Sequence, residues 1–148
     1  MSKKEKAAHT LERKKEKAAH TLERKILRAI ERGEFTPAYG YLMFPRLAKY
    51  VPLGPCGCLL AAAASVCGLQ VGGGQEALIA YLGQHGVKRR DALLLEAGYE
   101  GVAYEDVAYE DLTDEFEDFA GCTDARNPYY QVGQRLRRFH PYKDGYAQ

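Results

Sequence analysis

The sequence predicts a mainly α-helical fold: a compact helical domain over residues 33–148, with a long basic helix over residues 1–32 as an N-terminal extension. Three observations carry this expectation. Ala8, Leu11, Ala19, Leu22, Ile26 and Ile30 fall along one helical stripe. The small-residue run in CGCLLAAAASVCG suits a buried helix between glycines. In NPYYQVGQRLRRF, Tyr129, Val132, Leu136 and Phe139 recur at i, i+3, i+7 and i+10, whereas no run of alternating β-branched residues suggests a sheet.

The N-terminal helix contains a duplication. KKEKAAHTLER, Lys3–Arg13, recurs unchanged as Lys14–Arg24. Eleven residues turn a helix through about 1100°, roughly 20° past three turns, so the repeat lengthens the helix while nearly keeping its faces. The apolar stripe is thin in the first copy, is interrupted by Lys15, and thickens at KILRAI. The C-terminal part is therefore expected to dock on the domain, with Gly33 ending the helix. The doubled stretch reads as an elongated handle. A helix this polar is marginal alone in water and must fray, self-associate or lie on a partner. His9 and His20 share a face but stand about 16 Å apart along the axis, too far to hold one metal ion.

Beyond Gly33, EFTPAYGYLMFPRLAKYVPLGPCGC reads as irregular, with a short helix at about Pro45–Tyr50 that Pro45 would open. A central helix is expected to start near Gly57 and close at Gly68, its run Ala61–Ala64 permitting close backbone approach. The glycines of VGGGQ precede a helix from about Gln75 to Leu82; without a Lys-Ser/Thr or a nucleotide-fingerprint spacing, they read as a connection. KRRDALLLEAG supplies a helix at about 88–97, stopped by Gly98. A second duplication, VAYEDVAYED at Val102–Asp111, would be about 140° out of phase on a helix and would flip a strand, so a surface loop is expected. A short helix is expected around TDEFEDFAG. Asn127 then caps the closing helix, with Pro128 at its first position. Gly133 inside that helix costs about 1 kcal/mol relative to Ala, which a tight packing contact would explain.

Composition bounds the function classes. Of the 148 residues, 46% are hydrophobic and 28% charged, a globular balance unlike a disordered chain. The net charge of +1 conceals three blocks. Residues 1–32 hold eleven Lys/Arg against five Glu, residues 100–118 hold nine carboxylates and no base, and residues 126–148 hold five bases against one acid. No apolar segment follows the basic N-terminus as in a secretory signal, and CLLAAAASVCGL is too short to cross a bilayer of about 30 Å. No membrane association is expected. Four cysteines without such a signal suggest reduced thiols in the cytoplasm.

Candidate chemistry centres on Cys56 and Cys58. A thiol at a helix N-terminus meets the positive end of the dipole, which lowers its pKa. The leading reading is buried, inert packing; a redox dithiol or, with Cys122, part of a zinc site are the alternatives. Cys67, nine residues past Cys58 on one helix, faces the opposite way and cannot share an ion with it. His85 and His140 read as loop residues that a cysteine nucleophile would need within reach. No cofactor is expected. Charged surface offers a second kind of site: Glu105, Asp106, Glu110 and Asp111 in the acidic segment, and Arg135, Arg137 and Arg138 in the closing helix.

CGCLLAAAA, EAGYEG and NPYYQVGQRLRR together resemble small uncharacterised proteins of phages and their bacterial hosts. Those proteins often have adjacent cysteines and a leucine opening a small-residue helix, a Gly-aromatic-Glu-Gly turn, and a closing Gly-x-x-[aliphatic or Arg]-Arg helix. The resemblance covers about residues 25–139. Here Gly57 separates the cysteines, and LLAA stands where Leu-Gly is usual. It implies a phage-type origin and brings no activity with it. The functional expectation is a non-enzymatic cytoplasmic accessory protein that binds a protein partner through charged surface. Nucleic-acid association through the basic helix and the arginine cluster, and a thiol or zinc protein, are the alternatives. Self-association through the N-terminal helix is a further expectation.

Overall fold

The computed structural model describes residues 2–38, 44–48, 51–69, 73–103 and 127–141. Glu105, Asp106, Glu110, Asp111, Cys122 and the expected helix around TDEFEDFAG lie outside the described residues.

The structure is mainly α. Helix α1 (Lys3–Glu31) is one continuous element, as its hendecad periodicity requires. Ser2 caps it: Glu5 N–H donates to Ser2 Oγ at 3.1 Å, and the Glu5 carboxylate accepts from Ser2 N–H at 3.4 Å. Gly33, at φ 72°, takes the left-handed conformation just beyond its end. Ala19, Leu22, Ile26 and Ala29 are buried along the face that enters the core.

The expected helix at Pro45–Tyr50 is not formed. Strand β1 (Thr36–Pro37), strand β2 (Phe44–Ala48) and strand β3 (Val51–Gly57) make a small sheet in the order β1-β3-β2. β2 and β3 are antiparallel, with an irregularity between Arg46 and Leu47, while β1 runs parallel to β3. Pairing with β3 decides the difference, and proline favours extended backbone on both strands. It disfavours helical geometry in the residue before it, and Phe44, Val51 and Gly54 each precede one. Pro45 lies opposite Pro55, so two residues lacking an N–H face each other across the pair.

After the sheet, α2 (Leu59–Val66) occupies the centre, with Leu59–Ala64 all buried. Helix α3 (Gln75–Gln84) follows, then α4 (Arg89–Glu100) and α5 (Pro128–Leu136), which a 3₁₀ turn over Arg137–Phe139 extends. Asn127 caps α5 as its sequence predicts, its Oδ1 accepting from Tyr129 and Tyr130 N–H at 2.9 and 3.3 Å. α4 does not stop at Gly98. It continues to Glu100 and ends at Gly101, which takes φ 78°. Gly98 instead lies where α4 meets α5. A Cβ on Gly98 would overlap the Tyr130 carbonyl oxygen, and one on Gly133 would overlap that of Leu95. The two glycines let the helix backbones touch, which accounts for Gly133 inside a helix. No described helix is long and apolar enough to cross a membrane.

Candidate functional site

Cys58 sits where the sequence places it, at the N-cap of α2. The helix N-terminus does not activate it, in keeping with a packing role. Its side chain is buried, and burial, reinforced by the nearby charge of Glu96, pushes the thiol well above the ordinary cysteine range. The backbone groups of Ala61 and Leu60 oppose this and are outweighed. A thiol so held is protonated and a poor nucleophile or metal ligand.

Glu96 is the residue that sequence reasoning missed. It projects from α4, is 4% exposed, and its Oε2 accepts from Leu60 N–H at 3.2 Å. Cys58 makes no side-chain cap of its own, so a carboxyl 36 residues away caps α2 instead. Burial first, then Glu100 one turn further along α4, raise the Glu96 pKa far above the usual carboxylate range. Glu96 Oε1 is buried with no hydrogen-bond partner among the described residues, which adds to the cost of ionising this carboxyl. The sequence signal was an acid inside the apolar run LLLEAG.

The remaining thiols are dispersed. Cys56 is half-buried on β3 opposite Thr36 and Phe44, and Cys67 is half-buried at the end of α2, where burial raises its pKa. Among the described residues no three His, Cys, Asp or Glu side chains come together to hold a metal ion. His85 stands exposed beside Tyr81, and His140 is buried against the Tyr99 ring at 4.8 Å. Burial and Arg137 hold His140 below its usual pKa. Native-state alkylation with peptide mapping is expected to modify Cys58 no faster than the protein unfolds; labelling within seconds would show an open thiol.

The second region lies where α1 docks. Lys15, which breaks the apolar stripe in the sequence, reaches Asp91 of α4 at 3.3 Å. The same Asp91 oxygen accepts from Asn127 Nδ2 at 3.1 Å, so one buried carboxylate joins α1, α4 and the cap of α5. Further along, Arg135 of α5 makes a two-pronged pair with Glu23 at 2.8 and 2.9 Å. Arg137 donates to the Tyr99 carbonyl at 2.9 Å, and Arg138 lies 4.8 Å over the Phe139 ring. The closing arginines therefore have intramolecular contacts, and two of them fasten helices together.

These contacts separate the two repeat copies. Of the described side chains that hold α1 to the body, Lys15, Ala19, Leu22 and Glu23 belong to the second copy, and Ile26 and Ala29 follow it. Deleting Lys3–Arg13 would join Ser2 to Lys14-Lys15-Glu16, restoring the Ser-Lys-Lys-Glu letters of the present cap. That deletion is expected to change the unfolding free energy by no more than about 0.5 kcal/mol, measured by urea denaturation. A larger loss would mean that the first copy also holds the fold together.

Opposite the docked face, the charges of α1 are sorted. At about 100° per residue, Lys3, Lys6 and Arg13 share an arc of roughly 120° with Lys14, Lys17 and Arg24, and Lys25 and Arg28 continue it. All eight are exposed, and none pairs with a described carboxylate. Glu5, Glu16 and Glu23 fall together on one flank, and Glu31 at the margin is the single acid within the arc. Thr10 and Thr21 occupy its middle, their hydroxyls donating to the Lys6 and Lys17 carbonyls at 2.9 Å. The sequence displays the number of charges. Only the docked face shows which way they point.

Comparison with protein-family models, curated proteins and solved structures gives no match to this chain.

Proposed function

We propose that the chain is a small non-enzymatic accessory protein of the cytoplasm, of phage type, whose working surface is the exposed basic face of α1. The compact body serves as the mount: Asp91 and Arg135 fix the helix by its second copy, and the basic face is left outward for an anionic macromolecular partner. The observation that carries this reading is the sorting of eight Lys and Arg side chains, none paired with a described carboxylate, onto one exposed arc. The thiol alternative gains no support, because Cys58 is buried and burial, with Glu96 beside it, holds its thiol pKa up.

The test is retention on a sulfated-polysaccharide column. The triple variant Lys14→Glu, Lys17→Glu, Arg24→Glu, with native circular dichroism, is expected to elute at much lower salt than the wild type. Equal elution would remove the basis of the proposal.

A further inference from the structure

Resting on the reading that this face is the working surface, we propose that the exposed arc of α1 binds duplex nucleic acid through its phosphates, without regard to sequence. The first argument is geometric. From Lys3 to Arg28 the stripe runs about 37 Å, close to one turn of B-form duplex at about 34–36 Å. The repeat sets its cations in rows. Lys3, Lys14 and Lys25 recur about every 16 Å with only about 20° of drift, as do Lys6, Lys17 and Arg28. A rigid row of cations suits a rigid row of phosphates.

The second argument comes from what the face lacks. Protein–protein interfaces are depleted in lysine and rely on buried aromatic or aliphatic anchors. Between the basic side chains this arc offers only threonines at its centre, and α1 contains no Phe, Tyr or Trp. A protein partner would find little to bury there. Single-stranded binding draws on aromatic stacking platforms, which are also missing. Phosphate contact needs none of these and supplies most of non-specific duplex affinity.

The third argument concerns the acids. Interleaved glutamates in the sequence would weaken attraction to phosphate if they shared the face. Glu5 and Glu16 lie on the flank instead, and Glu23 is held by Arg135 at 2.8 Å. The repeat thus extends the basic row without inserting carboxylates into its centre.

The test uses the full chain and a labelled 24-base-pair duplex of arbitrary sequence, followed by fluorescence anisotropy from 50 to 200 mM salt. Engagement of about four or five phosphates gives a log–log slope near −4 and a loss of affinity of roughly 250-fold over that range. Deleting Lys3–Arg13, which keeps the cap letters and the Lys15–Asp91 and Glu23–Arg135 contacts, is expected to make the slope shallower by about one to two units. The triple variant Lys14→Glu, Lys17→Glu, Arg24→Glu should abolish binding while its circular dichroism stays native. Polyglutamate and phosphatidylserine vesicles serve as competing anions. Absence of duplex binding at 50 mM salt would overturn the inference, as would wild-type affinity in the triple variant. Tighter binding to polyglutamate or vesicles than to the duplex would also overturn it, while leaving the basic face as the working surface.

Discussion

Gly133→Ala is expected to lower the unfolding free energy by about 3 kcal/mol and Tm by roughly 6–12 °C. Helix propensity argues the other way, since alanine is favoured over glycine by about 1 kcal/mol inside a helix. The crossing of α4 and α5 decides the sign. The new methyl would overlap the Leu95 carbonyl oxygen and crowd Tyr99 N. Backbone atoms cannot swing aside as a side chain can, so the helices must part. Leu95, Val132 and Leu136, buried at 0–1% exposure, would then lose contacts. Gly98→Ala meets Tyr130 O and Gln134 N from the opposite side and should have a similar effect. Both substitutions are relieved by the same separation, so the double variant should lose less than the sum. Urea unfolding followed by circular dichroism measures all three. A Gly133→Ala variant as stable as the wild type would contradict backbone contact between these helices.

Glu96→Gln should act in the opposite direction, raising stability by about 1–2 kcal/mol at pH 8. The sign follows from linkage. Burial and Glu100 raise the Glu96 pKa in the folded state above its unfolded value of about 4.3. The folded protein therefore holds a proton that the unfolded chain releases. The associated stability is full below the unfolded pKa and is lost as pH rises toward the folded one. Glutamine has the shape of the protonated acid: its oxygen can accept from Leu60 N–H, and its amide can donate toward Glu100. Glu96→Gln should therefore flatten the decline of stability as pH rises above the unfolded carboxylate value of about 4.3. Glu96→Ala, which removes the cap of α2 and leaves a void, should instead cost about 2–3 kcal/mol. A Glu96→Gln variant with the wild-type pH dependence would show that this carboxyl is ionised in the fold.

Signals that act over a few residues were legible. Asn127 and Pro128 marked the start of α5, the hendecad marked α1 as one helix, and Gly133 announced close packing before its partner was known. Long-range determinants were not. Pro45 suits a helix start locally, and only pairing with residues 51–57 makes it a strand residue. Gly98 looked like a stop because its partner, Gly133, is 35 positions away. Lys15 looked like a defect in an apolar stripe until Asp91 came beside it. The candidate surface was half legible. Charge could be counted in the letters, but its direction depends on which side of α1 the body covers.

The eleven-residue period of α1 also sets how its reach can change. Each added unit would move the outer end by about 16 Å yet rotate it by only about 20°. Growth by this unit leaves the anchoring residues untouched, so the arm and its mount can diverge separately. The small residual rotation accumulates, however, and four further units would carry the outermost cations about 80° around the axis. Such an arm would trace a slow spiral, and its useful length would be set by the curvature of whatever it follows.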